Sequence, residues 1–315
     1  MAHRHVLSLL EVGSESLAQM VDRAVHFGKH GAQHGDGGER PLDGRIVAIY
    51  FRGTSTRTRT AFSAGTLRLG GQVIAYGPKD LQITTGETLE DTARVLGGYV
   101  DALVIRTNDP VEEMEQLAAQ GQLSVINAMS AEEHPTQAIG DLSTLKEHFG
   151  RLEGLHVLYV GDGNNSASAL AFACALTPGM RLTLVTPEGF GLGDDVLARA
   201  REEAGRRGSA IEQHHRADDL PSGVDAVYAT RWQTMGTGKS GGDWKEIFRP
   251  YSVTEELFAR AAKSEGTVFL HDLPAMRGED VVDSVLDGPQ SLAWRQAEHK
   301  MFSAMTVLEW CLAEA

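Results

Sequence analysis

Residues 51–62 read Phe51-Arg52-Gly53-Thr54-Ser55-Thr56-Arg57-Thr58-Arg59-Thr60-Ala61-Phe62. Before them stands the apolar run Ile46-Val47-Ala48-Ile49-Tyr50, which reads as a buried parallel strand; after them Phe62, Leu67 and Leu69 continue at helical spacing. The turn between strand and helix is rich in hydroxyls and arginines. Backbone N–H groups at a helix start point outward, the helix dipole favours an anion, and guanidinium forks add bidentate hydrogen bonds, so the segment suits a phosphate. The plainer alternative is a Ser/Thr cap beside two solvated arginines.

Outward from this unit, strands and helices alternate. Strands are predicted at 45–51, 72–76, 101–106 and 123–127, with helices at 14–29, 57–69, 87–98 and 111–120. A longer helix is predicted from Pro135 to Phe149, because proline suits a first helical position. Beyond Gly150–Gly154 a second run has strands at 155–160, 181–186, 210–214, 225–229 and 267–270, with helices near 166–177, 194–207 and 254–263. Residues 289–313 form one last helical pattern. Two runs of strand–helix alternation predict an α/β chain of two parallel-sheet domains. The boundaries expected are 1–150, joined by the C-terminal helix 289–315, and 151–288.

Composition narrows the function classes. A net charge of −14 argues against sequence-independent nucleic-acid binding, which requires a basic surface. An anionic substrate would therefore depend on a local arginine cluster. No apolar run is long enough to span a bilayer, and the N-terminus lacks the apolar core of a signal peptide. Cys174 and Cys311 read as buried free thiols of a cytoplasmic protein, and no His/Cys spacing suggests a metal. The turn Gly161-Asp162-Gly163-Asn164-Asn165-Ser166 imitates a dinucleotide fingerprint but lacks its third glycine. Gly238-Lys239-Ser240 imitates a phosphate loop, with Gln233 where an earlier glycine is required.

Three further motifs lie at predicted strand ends, where open α/β sheets bind ligands: Arg106, His134-Pro135-Thr136-Gln137, and His271-Asp272-Leu273-Pro274. Together with Ser55-Thr56-Arg57-Thr58-Arg59, in this order, they resemble the aspartate/ornithine carbamoyltransferase family. The resemblance runs from about residue 6 to residue 313. It implies a homotrimer without cofactor, acting on carbamoyl phosphate and an amino-acid amine. By resemblance Ser55, Thr56, Arg57 and Thr58 hold the phosphate. Arg106, His134 and Thr58 polarise the carbamoyl oxygen, while Gln137 and the Leu273 backbone take the carbamoyl amine. Gln82 matches a residue lent to a neighbouring subunit's site. Lys300 stands where the ornithine branch has arginine, so one charge is kept and a fork is lost.

The acceptor side departs from the family pattern. Asn165 matches the ornithine-branch residue for the amino-acid end of the acceptor. The ornithine-branch Asp-x-x-x-Ser-Met-Gly reads here Thr230-Arg231-Trp232-Gln233-Thr234-Met235-Gly236, and the late His-Cys-Leu-Pro has Asp272 for cysteine. Arg231 and Gln233 resemble the aspartate branch, yet the lysine of that branch's loop is missing from Thr84-Thr85-Gly86-Glu87-Thr88. The expectation is an ornithine-like or shorter diamino-acid acceptor, with Asp272 receiving the amine's proton and Arg231 a carboxylate. Alternatives are aspartate-type transfer and a catalytically silent subunit; retention of Arg57, Arg106, His134 and Gln137 argues against the silent one.

Overall fold

The computed structural model describes residues 3–30, 40–233, 238–239 and 243–312. The chain divides into two compact units, residues 1–143 with 298–315, and residues 144–297. The divisions fall inside the helices Pro135–Phe149 and Ala293–Leu312, not at residues 150 and 288 as the sequence predicts. A glycine-rich connection marks where the chain turns; compactness is decided by what each helical turn packs on.

The first unit holds four parallel strands, β1 (Ile46–Phe51), β2 (Gln72–Tyr76), β3 (Ala102–Arg106) and β4 (Ser124–Met129), in the order β2-β1-β3-β4. β1, β3 and β4 are almost wholly buried, as continuous runs of Val, Ile, Leu and Ala require when helices cover both faces of a sheet. β2 is the edge and is largely exposed. The order reverses between β1 and β3, whose pairing brings Phe51 beside Arg106. That reversal is the crevice where ligands bind open sheets. The final helix belongs to this unit from Glu298 onward. Gly65, on helix Arg57–Arg68, admits it closely, since a Cβ there would lie 2.9 Å from Met305 Cγ.

The second unit holds five parallel strands, β5 (His156–Val160), β6 (Arg181–Val185), β7 (Ala210–His214), β8 (Ala226–Ala229) and β9 (Val268–His271), ordered β7-β6-β5-β8-β9. Its reversal lies between β5 and β8. Helix Asn165–Leu176 is buried at every position, which explains its sequence of Ala, Leu, Phe and small polar residues with no charge.

The first helix begins at Leu9, ahead of the predicted 14, because Gly13 (φ 77°) joins two helical pieces across a kink. Two short helices, Trp244–Phe248 and Asp283–Leu286, are too brief to show a period in sequence.

Candidate active site

Helix Arg57–Arg68 starts at the β1/β3 reversal without a side-chain cap: Thr56 is helical in backbone and accepts no capping bond. Helices Leu89–Gly97, Asn165–Leu176 and Glu255–Ala261 are capped by Thr88, Asn164 and Thr254. The conventional side-chain cap is therefore not what this hydroxyl-rich turn makes. Ser55 and Arg57 are half-buried and Thr56 is exposed. Arg59 instead lays its guanidinium over the Phe51 ring, 5.3 Å from the centroid.

Behind this turn Arg106 and Lys300 converge on His134, Thr58 bonding the first and Gln137 the second. Arg106 Nη1 lies 3.1 Å from Thr58 Oγ1 and 3.3 Å from His134 Nε2. Lys300 Nζ lies 3.4 Å from the same Nε2 and donates to Gln137 Oε1. Two cationic donors face Nε2, so in this arrangement that nitrogen accepts and the ring is neutral. Burial first, then the charges of Lys300 and Arg106, holds the imidazole well below its ordinary range. Gln137 Nε2 donates to Asp141 Oδ1 at 2.8 Å, which fixes the amide so that its oxygen faces Lys300. Asp141 escapes a motif search, yet it stands four residues after Gln137 on one helix, the spacing that brings side chains together. Gln82, which the resemblance assigns to a neighbouring subunit's site, makes no hydrogen bond to this group. Gln82 is exposed on a 3₁₀ turn, its Oε1 accepting from the Thr85 hydroxyl at 2.5 Å.

In the second unit the ends of β8 and β9 make the other cluster. Ala229 pairs with His271, so the next residues, Thr230 and Asp272, emerge side by side. Thr230 Oγ1 lies 3.1 and 3.0 Å from the two Asp272 oxygens and accepts from Asn164 Nδ2 at 3.1 Å. His271 Nδ1 accepts from the Leu273 N–H at 2.8 Å, and Nε2 faces Asp280 at 3.3 Å. The proton therefore sits on Nε2, and the 3.5 Å approach of Nδ1 to Asp272 supplies no countercharge. Among the described residues Asp272 has no Lys or Arg partner. Leu273 holds φ at +50°, a left-handed conformation unusual for leucine that turns its backbone sharply after the strand. Asn165 is buried at the first turn of its helix.

Arg231 and Gln233 do not join this pair. They line a cavity of about 50 Å³ with Trp232, Trp244, Lys245, Met276, Glu279 and Asp280. Thr234 and Met235 lie outside the described residues.

Residues 4–147 match the family described as aspartate/ornithine carbamoyltransferase, carbamoyl-P binding domain, and residues 153–311 match that family's Asp/Orn binding domain. The chain is 39% identical over 306 residues to an ornithine carbamoyltransferase of Halalkalibacterium halodurans, covering 97% of this chain and 94% of that one. It is 41% identical over 267 residues to the ornithine carbamoyltransferase of Gloeobacter violaceus, covering 85% and 84%. The ornithine carbamoyltransferase structure from Pyrococcus furiosus superposes with a TM-score of 0.91 at 34% identity, covering 100% of this chain and 98% of that one.

Proposed function

The chain belongs to the aspartate/ornithine carbamoyltransferase family and is a carbamoyltransferase, and from that premise we propose that it carbamoylates the side-chain amine of an ornithine-type diamino acid. The observation that carries the acceptor is Asp272, a carboxylate with no Lys or Arg partner among the described residues, held by the Thr230 hydroxyl with His271 Nδ1 at 3.5 Å. An alkylammonium supplies the missing countercharge. An aliphatic amine with a pKa of about 10 must shed a proton before it attacks, and Asp272 receives it.

In the first unit the uncapped start of helix Arg57–Arg68, with Ser55, Thr56, Arg57 and Thr58, takes the phosphate of carbamoyl phosphate. The carbamoyl oxygen draws on Arg106, Thr58 and His134. Once that oxygen occupies the Arg106 N–H, the imidazole serves it from a protonated Nε2, with the Thr136 hydroxyl, 3.4 Å from Nδ1, donating to the other nitrogen. Gln137, its oxygen set by the Asp141 bond, accepts from the carbamoyl amine. Lys300 adds positive charge as the tetrahedral oxyanion forms. One such donor is worth about 3–4 kcal/mol in the transition state. Phosphate then leaves, and the attacking nitrogen becomes part of a ureido group. Asn165 is assigned to the amino-acid end of the acceptor, and Thr234 and Met235 to its flank.

Arg231 and Gln233 support a second reading, transfer to an aspartate-type acceptor, because their cavity could hold a carboxylate. Side-by-side kinetics with ornithine, 2,4-diaminobutyrate, 2,3-diaminopropionate and aspartate separate the two. The account expects turnover with diamino acids and little with aspartate; the reverse order would overturn it.

We further infer a homotrimer in the cytoplasm. Leu67, Ile74 and Tyr99, at 58%, 38% and 69% exposure, leave apolar surface on the first unit, and Ile74 lies on the edge strand β2. Gln82, exposed and not bonded to its own chain's cluster, is available to a neighbouring subunit. Both cysteines are buried free thiols, as a reducing compartment allows. No described helix is long and apolar enough to cross a membrane. Mixing Arg57→Ala with Gln82→Ala protein under subunit exchange is expected to regenerate activity, since some hybrid sites carry neither lesion. Mixtures no more active than their components would contradict shared sites.

A further inference from the structure

We propose that Arg52 is a positioning residue for carbamoyl phosphate, binding together the three strand-end loops that hold Ser55–Thr58, Arg106 and His134. The proposal rests on the reading of the β1/β3 crevice as the carbamoyl phosphate site. Arg52 lies one residue beyond β1 and extends its pairing, its N–H donating to the Arg106 carbonyl at 3.0 Å. Its side chain then crosses to the segment after β3. Nη1 bonds Asp109 at 2.9 Å, Nη2 bonds Glu113, and Nε lies 3.2 Å from the Tyr50 hydroxyl. The guanidinium carbon sits 5.2 Å from the Tyr50 ring centroid, so the fork has a flat support beneath it.

Asp109 relays this anchorage to the third loop. Its carboxylate accepts from the Thr107 hydroxyl at 2.7 Å, and its carbonyl accepts from the Ala131 N–H at 3.0 Å. Ala131 stands three residues before His134. Thr107, next to Arg106, donates its own N–H to Met129 at the end of β4. Glu132 adds a second tie by accepting from the Val111 N–H at 3.1 Å. One guanidinium thus stands at the junction of the loops following β1, β3 and β4.

The loop that benefits most has little else upstream. Thr54 and Ser55 make no side-chain hydrogen bond, and a Cβ on Gly53 would meet nothing within 4 Å. Between the Arg52 anchor and the helix start at Arg57 the phosphate-facing backbone is held from its two ends. Releasing one end lets the N–H groups wander, and precise donor placement is what an anion site depends on. Lysine does not replace the fork, because a single ammonium cannot present the same planar pair of donor edges to two carboxylates.

Positioning and simple electrostatics predict opposite signs for one variant. Asp109→Asn combined with Glu113→Gln removes two negative charges near an anion site while keeping Arg52. A pure field effect tightens anion binding; loss of the clamp weakens it. Calorimetric titration of the full-length protein with carbamoyl phosphate, and separately with inorganic phosphate, reads the difference. We expect this double variant and Arg52→Lys each to bind both anions about tenfold more weakly. Their circular dichroism spectra should match the parent's, and KM for carbamoyl phosphate should rise with kcat at saturation changed less than threefold. Equal or tighter binding by the double variant, or parental affinity in Arg52→Lys, would overturn the positioning role. A double variant that does not fold leaves the decision to Arg52→Lys. A parent chain that binds neither anion would overturn the reading of the crevice and the role of Arg52 together.

Discussion

His134 is the residue at which burial and charge act in the same direction. Its ring is enclosed, and Lys300 and Arg106 both face Nε2, so protonation is resisted from two sides. In the unfolded chain the same histidine titrates near its ordinary value of about 6.5. Below that pH the unfolded state gains a proton that the folded state refuses, so the stability linked to His134 is complete above about 6.5 and erodes as pH falls. Relative to a His134→Gln variant, the parent is expected to lose stability as pH falls from about 6 to about 5. Denaturation of both proteins across that range measures it, and a difference independent of pH would contradict the assignment. The sequence displays His134 and Gln137 because the motif is contiguous. Asp141, which orients Gln137, carries no motif and is found only by asking what lies one helical turn further on.

At the scale of elements, β1, β3, β4, β5, β6, β8 and β9 are legible because a parallel strand buried on both faces is a nearly unbroken apolar run, whereas β2 and β7, more exposed, are not such runs. Helix ends are less legible. Gly13 interrupts the first helix without ending it, and Trp244–Phe248 is shorter than two turns. Register is invisible in the sequence altogether. Thr230 and Asp272 read as one motif that has lost its acid and another that has gained one, 42 positions apart. The pairing of Ala229 with His271 makes them neighbours, so the carboxylate has crossed from one strand end to the next while remaining in the same small region. A displacement of this size acts on acceptor length more than on acceptor class. The exchange Thr230→Asp with Asp272→Cys is therefore expected to raise the ratio of kcat/KM for ornithine over 2,4-diaminobutyrate about tenfold. An unchanged ratio would show that the pair does not set chain length.

At the scale of the whole molecule, a chain with net charge −14 gathers Arg57, Arg106 and Lys300 in a unit whose sheet reverses direction at that point. The field of the molecule repels an anionic substrate, and the local cluster must supply the attraction, aided by an uncapped helix start. The second unit repeats the architecture with a different strand order and places the Asp272 carboxylate beside Thr230 at its strand ends. A cationic cluster in one unit and this carboxylate in the other suit an anionic donor and a cationic acceptor. The most direct measurement supplies carbamoyl phosphate labelled with ¹³C at the carbonyl, together with ornithine, and follows the label by NMR. The account predicts that the signal moves to a ureido carbon with one phosphate released per transfer, and that Arg57→Ala abolishes the movement while its fold persists. Near-parental transfer by Arg57→Ala, or no ureido carbon from the parent with any diamino acid, would contradict it.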